Sequence, residues 1–407
     1  MAAAKQPPLT VEEALVRVLD GVAPLVGTRV VDLLSASGMV LAEPLHARHT
    51  QPPFDASAMD GYAVRLKDVA TLPARLRVVG AAAAGHRFNG AVGAGEAARI
   101  FTGAPVPSGA DAIVIQENTE LDAQHVIITS GSPDAEHIRP GGGDFVVGNL
   151  IIPANARLST RDITLAAAGG HARLTVRRAP IVAILATGDE LVVPGVEPNA
   201  DQIVCSNPYG IAAMVTAAGG EPHLLGIAKD TRASLDAHIA SAAGADILVT
   251  LGGASVGDHD LVGPALAARG LDLAFWKIAM RPGKPMMFGR LGSQRVLGLP
   301  GNPVSSLITA RLFLVPLIRK LMGLVPEPPR RQTAPLAISL EANGPRTHYM
   351  RAVWQQGSEG ADRVRPLPNQ DSSLLMPLAI ADCLIVRPIG APLAAAGDRV
   401  EVLPMDF

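Results

Sequence analysis

Asp246-Ile-Leu-Val-Thr-Leu-Gly-Gly-Ala-Ser-Val-Gly-Asp-His-Asp260 is the stretch whose reading decides the fold. Ile247 to Leu251 is a short unbroken apolar run, as expected of a strand buried on both faces. It ends in Gly252-Gly253, where a backbone without Cβ atoms can turn sharply and lie close to a ligand. Ser255 then offers a hydroxyl, and Asp258 and Asp260 offer carboxylates. A buried strand opening into such a turn predicts a site at the carboxyl edge of an α/β sheet. The same residues also suit a strand-to-helix loop whose acids cap the next helix.

The surrounding pattern favours the sheet. Ile181 to Ala186 reads as a further buried strand, His223 to Ile227 as another strand and Leu271 to Phe275 as a fourth. Helices are expected from Ser206-Asn-Pro to Ala218, over Thr231 to Ala243 and over Leu261 to Ala268. Strand–helix alternation at this spacing implies right-handed crossovers and a mostly parallel sheet. One rim then collects Thr187, Asp189, Glu190, Asp230, Ser255, Asp258, Asp260 and Lys277. Open α/β sheets bind ligands at that edge.

Lys277-Ile-Ala-Met-Arg-Pro-Gly-Lys284 adds three cations, with Pro282 and Gly283 holding Arg281 and Lys284 in a turn. Fixed cations in a turn suit an oxyanion or phosphate; a solvated basic loop is the plainer alternative. Met286 to Phe288 and Val296 to Leu299 form a predicted hairpin through Gly292-Ser293. Its second arm runs into Pro300-Gly-Asn-Pro303, which opens a helix expected to reach Met322. The N–H groups at that helix start favour an anion, although a rigid turn alone accounts for the prolines.

On the amino-terminal side, Leu9 to Leu25 has helical spacing with Thr10 as N-cap. Val30 to Leu34 reads as a strand. Gln51 to Val64 opens as a loop crowded with Asp55, Ser57, Asp60 and Tyr62 and leads into a strand at Tyr62 to Val64. Such a loop carries function or is an Asx-turn network. Leu72 to Ile128 reads as all-β, with Thr102 at a strand end. Arg139 to Asp144 is glycine-rich and precedes a helix over Leu158 to Ala168, so the β region reads as an insertion into the unit where the chain began. Val325 to Gln332 is a proline-rich linker, and the remainder a small β barrel or sandwich with one notable polar loop, Gln370 to Ser373.

Bulk composition bounds these readings. A chain of 407 residues exceeds one core, so two to four domains are expected. At 48% hydrophobic and 18% charged residues it is a folding, soluble chain. A net charge of −2 supplies no global field for nucleic acid. Two cysteines, Cys205 and Cys383, suffice neither for a disulfide framework nor for a four-ligand zinc site, and fit a reducing compartment. No export signal is read at Met1 to Thr10. Arg311, Arg319 and Lys320 mark Val304 to Met322 as a buried helix rather than a membrane span.

Taken in order, six stretches resemble the molybdopterin molybdenumtransferase family, which also includes the carboxyl-terminal domain of gephyrin. They are Pro52 to Val64, Phe101-Thr-Gly-Ala-Pro-Val-Pro107, Thr187-Gly-Asp-Glu-Leu191, Gly252 to Gly257, Lys277 to Pro285 and Leu299-Pro-Gly-Asn-Pro-Val304. Any one is weak, but six in sequence are specific. The resemblance covers the chain from about Thr10 onward.

It implies a multidomain α/β plus β architecture. A helical, elongated domain (1–45 and 145–178) carries an inserted β-rich domain (46–144). A mostly parallel three-layer α/β molybdopterin-binding domain (179–326) and a small carboxyl-terminal β barrel (327–407) follow. It implies that molybdate is inserted into adenylylated molybdopterin with release of AMP, assisted by magnesium. Asp60, Thr102, Asp144, Glu190, Lys277 and Arg281 would be catalytic. Gly252, Gly253, Ser255, Lys284, Pro300, Gly301, Asn302, Pro303 and Ser372 would bind substrate. Glu190, Asp230 and Asp260 would hold the metal. The implied assembly is a cytoplasmic homodimer, with Asp60, Thr102 and Asp144 closing the site from the partner subunit. Molybdopterin adenylyltransferase is a further candidate partner; no nucleic acid and no membrane are expected. The chain departs from the family pattern at Arg281, where many relatives carry lysine, at Asp371, usually glycine, and at Asp258, often glutamate. Adenylyl transfer to molybdopterin, the alternative on a related fold, goes with a Gly-Gly-Thr-Gly turn, where this chain has Gly252-Gly-Ala-Ser. A dimeric peptide-binding scaffold would have no use for the acid-and-cation rim.

Overall fold

The computed structural model describes residues 8–131, 137–253, 261–326, 330–356 and 362–407. Ser255, Asp258 and Asp260 lie outside the described residues. The chain divides into two compact units, Met1–Arg29 with Arg177–Phe407, and Val30–Val176.

The larger unit is built on a six-stranded sheet. Its strands are β1 (Ile181–Thr187), β2 (Glu221–Ala228), β3 (Ile247–Leu251), β4 (Asp272–Phe275), β5 (Met287–Leu291) and β6 (Gln294–Leu299), in the spatial order β2-β1-β3-β6-β5-β4. β1 pairs in parallel with β2 and β3, and β3 in parallel with β6. β5 runs antiparallel to both β6 and β4; for β6 the two-residue turn Gly292-Ser293 requires it. The sheet is therefore mixed, with its parallel part confined to four neighbouring strands.

Every residue of β3 is buried. Leu248 and Leu185 share a core with Leu235 and Ile239 of the helix Arg232–Ser241, and with Val262 and Leu266 of the helix Val262–Ala268. The helix Asn207–Ala218 has Pro208 in its first turn and stops at Gly219, whose φ of 96° is left-handed.

Two helices differ from the expected spans. The first covers Val11–Leu19, short of the expected Leu25. Thr10 and Glu13 form a reciprocal capping box at its start. At its end, Lys320 donates to the Leu19 carbonyl at 2.7 Å, Arg290 to that of Asp20 at 2.7 Å and Arg295 to that of Gly21 at 2.9 Å. Three cations thus satisfy carbonyls that a longer helix would have used internally. These bonds, and buried Val11, Ala14 and Val18, place this helix in the larger unit.

The second is the expected single helix to Met322. It runs as α-helix over Pro303–Thr309, widens to a π-turn over Ala310–Leu314 and resumes over Val315–Leu321. Pro316 has no N–H to give the Leu312 carbonyl, and the Val315 N–H reaches back to Ala310 instead. Buried Arg311 sits in this wide turn, satisfied by both carboxylate oxygens of Asp406 at 2.7 and 2.6 Å. Among the described residues no helix is long and apolar enough to cross a membrane.

The carboxyl-terminal region adds the strands Gln332–Pro335, Thr347–Gln355, Arg363–Pro366, Cys383–Arg387 and Arg399–Pro404. Thr347–Gln355 pairs with Arg363–Pro366 and Cys383–Arg387. Arg399–Pro404 lies between Cys383–Arg387 and Gln332–Pro335. Leu336 makes a single parallel bridge to Val364. Met280–Arg281 joins this sheet in parallel, with Arg281 opposite His348.

Among its described residues the smaller unit contains three hydrophobic clusters, one of them small and formed by Ala63, Ala82, Ile100, Ala104 and Ile113. Of the larger two, one belongs to a six-stranded sheet of Ala112–Ile115, Gly61–Val64, Glu96–Ile100, Ala74–Ala82, His125–Ile128 and Thr119–Asp122, in that order. The other joins Leu41 and Leu45 to Ile152, Leu158, Leu174 and Val176.

Gly219→Ala forces a Cβ into the left-handed region and is expected to destabilise the protein by about 1–2 kcal/mol. Chemical denaturation that leaves the midpoint unchanged would show that this helix end does not need its glycine.

Candidate functional site

β2, β1, β3 and β6 are neighbours and parallel, so their carboxyl ends lie on one edge. The chain passes from β1 to β2 on one side and returns to β3 on the other. That reversal, between β1 and β3, is where open α/β sheets leave a crevice for ligands. β1 runs into Gly188-Asp189-Glu190, β2 into Lys229-Asp230, β3 into Gly252-Gly253 and β6 into Pro300-Gly301-Asn302.

A cavity of about 530 Å3 occupies this edge. Glu190, Asp230, Cys205, Asn207, Gly252 and Gly253 line it, with Gly301, Asn302 and Pro303. Its shape depends on close backbone approach. The Gly252 N–H donates to the Leu299 carbonyl at 3.2 Å, and Gly252 has a φ of 92°. A Cβ there would stand 3.0 Å from the Thr187 carbonyl oxygen, and a Cβ on Gly301 would stand 3.6 Å from the Gly252 Cα. Asn207 donates its side-chain amide to the Gly301 carbonyl at 2.6 Å. Asp189 accepts the Asp230 N–H at 3.2 Å and so ties the β1 and β2 loops together. The Glu190 carboxylate folds over Gly188, where an added Cβ would lie 2.4 Å from Oε2. Burial, reinforced by the nearby Glu190 charge, pushes the Cys205 thiol up.

A second cavity, of about 930 Å3, adjoins the first through Gly301 and Asn302. Arg281, Lys284 and Arg346 line it, with Pro300, Asp371 and Ser372. Ser372 accepts from the Asn302 side chain at 2.9 Å, and its carbonyl accepts the Val304 N–H at 3.1 Å. One of the helix-start N–H groups expected to face an anion is thus already taken. The loop carrying Ser372 is held from behind by Arg351, 1% exposed, which donates to the carbonyls of Asn369, Asp371 and Leu374. Asp371 turns its Oδ1 to the Ser373 N–H and hydroxyl, which hold its carboxyl below the usual range. His348 is pushed down to about 4, first by burial and then by Arg281, Arg346 and Arg351.

The larger unit therefore brings together Glu190, Asp230, Gly252, Gly253, Arg281, Lys284, Pro300, Gly301, Asn302, Pro303 and Ser372 on two joined cavities. Lys277 is not among them. It follows β4, the edge strand, is exposed and lines neither cavity, because the hairpin inserts β5 and β6 between β4 and β3. Arg346, Arg351 and Asn207 were not singled out in the sequence. Only strand pairing brings Arg346 beside Arg281, and Arg351 lies in an ordinary alternating strand. Among the described residues no three His, Cys, Asp or Glu side chains cluster as a metal cage.

In the smaller unit, three separate stretches interlock. Ala56 bridges Pro105, and Ser57 pairs with Ile138. Asp55 accepts the Gly141 N–H at 2.7 Å, and Gln51 accepts that of Asp144 at 3.1 Å. Asp60 accepts both the N–H and the hydroxyl of Thr102 at 2.8 Å. Those bonds, with a weaker contribution from Arg99, hold the Asp60 carboxyl below the usual range. Arg99 is fixed by the Gly61 carbonyl at 2.9 Å and by the rings of Tyr62 and Phe101. Asp60 and Thr102 are thus bonded to each other, and Asp144 lies in the third of these interlocked stretches.

Three family models cover most of the chain. Residues 9–170 match "MoeA N-terminal region (domain I and II)", 183–320 match "Probable molybdopterin binding domain" and 333–405 match "MoeA C-terminal region (domain IV)". A molybdopterin molybdenumtransferase from Nostoc sp. is 37% identical over 392 residues, covering 93% of this chain and 89% of the relative. One from Haemophilus influenzae is 33% identical over 401 residues, covering 98% and 99%. A crystal structure of a molybdopterin biosynthesis MoeA protein from Pyrococcus horikoshii has a TM-score of 0.84 at 30% identity, covering 98% of this chain and 100% of that one.

Thr102→Val removes one of the two donors to Asp60, so the carboxyl is expected to titrate at higher pH, which carbon-detected NMR would read. The depressed value means this contribution to stability is present above the unfolded carboxylate range and is lost as pH falls through the folded value. An unchanged titration would contradict the hydrogen-bond assignment. Gly188, at φ 149°, has no room for a methyl group beside Glu190. Gly188→Ala is expected to displace that carboxylate and to add about 1–3 kcal/mol of strain. Unaltered stability together with an unmoved Glu190 in a variant crystal structure would refute this.

Proposed function

The chain belongs to the molybdopterin molybdenumtransferase family, and on that premise we propose that it inserts molybdenum from molybdate into adenylylated molybdopterin, releasing AMP. One observation carries the reading: a carboxylate-lined cavity and a cation-lined cavity adjoin through Gly301 and Asn302. A phosphate-bearing substrate and a molybdate dianion each need concentrated positive charge, held in place before they arrive. Arg281 and Lys284 supply it on one side. Gly252, Gly253 and Gly301 let substrate lie against bare backbone, and Pro300 and Pro303 stiffen the turn between the cavities.

Glu190 and Asp230 are hard oxygen donors in the same cavity. Two carboxylates suit magnesium, which commonly completes its shell with water and substrate phosphates. When bound, magnesium would neutralise phosphoryl charge; Glu190 and Asp230 would hold it, with Asp260 as the third ligand implied by the resemblance. In the same reading the chain acts in the cytoplasm as a homodimer. Asp60, Thr102 and Asp144 complete the site from the partner copy, and molybdopterin adenylyltransferase delivers the substrate. The pinned, ionised Asp60 supports a role in orienting a reacting group rather than in donating a proton. Lys277, exposed at the end of β4, is the remaining cation that the resemblance implies at the site.

Glu190→Gln and, separately, Lys284→Ala are expected to reduce molybdenum incorporation and AMP release by about 100-fold or more. The assay uses purified adenylylated molybdopterin with molybdate, and circular dichroism verifies the fold. Wild-type turnover in both variants would overturn the proposal.

A further inference from the structure

Asn207 opens its helix without capping it. Ser206, in the N-cap position, makes no side-chain cap bond, and Pro208 brings no N–H to the first turn. The half-buried Asn207 side chain reaches instead to a residue 94 positions away and donates its amide to the Gly301 carbonyl at 2.6 Å. The Ser206 hydroxyl lies 3.5 Å from the Asn207 Oδ1, which orients the amide the same way round.

Gly301 and Asn302 line both cavities, so the peptide that joins them is a common wall. Gly301 has no side chain to resist rotation of that peptide, and a Cβ there would meet only the Gly252 Cα, at 3.6 Å. A trans peptide carries its C=O and N–H on opposite sides. The bond from Asn207 therefore turns the carbonyl toward the helix start and leaves the Asn302 N–H on the other side, where none of the described residues accepts it. Asn302 in turn gives its side-chain amide to the Ser372 hydroxyl at 2.9 Å. One amide on the first cavity thus sets a peptide that faces both, and through it a residue of the second.

We propose that Asn207 is a positioning residue for molybdenum transfer: it holds the Gly301 carbonyl away from the passage between the cavities. This rests on the proposed reaction, in which one anionic substrate spans the two. Without the amide the peptide is free to rotate, its carbonyl oxygen meets the negative charge of the substrate, and Asn302 is drawn off Ser372. Arg281 and Lys284 are untouched by Asn207, so molybdate on its own binds as before.

The test is the insertion assay with purified adenylylated molybdopterin and molybdate, run on wild type, Asn207→Ala and Asn207→Asp from about pH 8 to about pH 5. Molybdate affinity is read separately by calorimetry. A carboxylate cannot donate to a carbonyl, whereas a protonated carboxyl can. Relative to wild type at the same pH, Asn207→Asp should lose about tenfold or more in kcat at high pH. It should regain most of that as pH falls through the titration of the introduced carboxyl, which the Gly301 carbonyl, Glu190 and Asp230 hold above the usual range. Asn207→Ala should show the loss at every pH, and both variants should bind molybdate as wild type does. The recovery occurs within one folded sample, so a general loss of stability would not produce it. Wild-type kcat in Asn207→Asp at high pH, or a loss that stays constant with pH and equals that of Asn207→Ala, would overturn this inference and leave the proposed reaction standing. No molybdenum insertion by wild type would overturn both.

Discussion

Parallel pairing of four adjacent strands is the constraint on which the site depends. In an antiparallel sheet successive loops leave from opposite edges. Here β2, β1, β3 and β6 all end on one edge, so the loops that carry Glu190, Asp230, Gly252 and Gly301 start within a few strand widths of one another. β1, β3 and β6 are buried among helices on long crossovers, whereas β2 at the edge of the sheet is largely exposed. β5 breaks the parallel run, while β4, antiparallel to β5, points the same way as β6. Lys277 therefore leaves from the same edge, two strands beyond β6.

Charge is distributed along this edge in two lots. Carboxylates stand at the ends of β1 and β2, and cations stand beyond β6, where Met280–Arg281 joins the carboxyl-terminal sheet. That small ladder does more than connect two regions, since it sets Arg281 against His348 and brings Arg346 to the cavity wall. The buried Arg351 holds the Ser372 loop by its carbonyls, and Ser372 in turn reaches Asn302 at the junction of the cavities. Glycines at Gly188, Gly252 and Gly253 take backbone angles that side chains avoid, and they do so at the strand ends that form the pocket.

Much of this was legible from residue order. Apolar runs gave the strands around β1 and β3, and Thr10, Ser206-Asn-Pro and Gly219 marked helix ends, because those signals act within a few residues. Glu190, Asp230 and the loop after β3 could be placed on one rim from strand–helix alternation alone. The π-turn at Ala310–Leu314 needed Pro316 to be weighed against the length of the helix. The strand Arg363–Pro366 was missed because its four residues alternate too briefly to register. Arg346 and Arg351 were missed for a different reason: their positions follow from register between strands far apart in the chain, which local pattern does not encode. The early stop of the first helix depends likewise on Lys320, Arg290 and Arg295, some 270 to 300 residues away.

A crystal of the protein soaked with molybdate and AMP, with molybdenum located by its anomalous scattering, tests the central claim most directly. The account predicts a molybdenum peak bounded by Arg281, Lys284 and Arg346, with nucleotide density reaching toward Glu190 and Asp230. A molybdenum peak elsewhere on the chain, with both joined cavities holding only solvent, would contradict it.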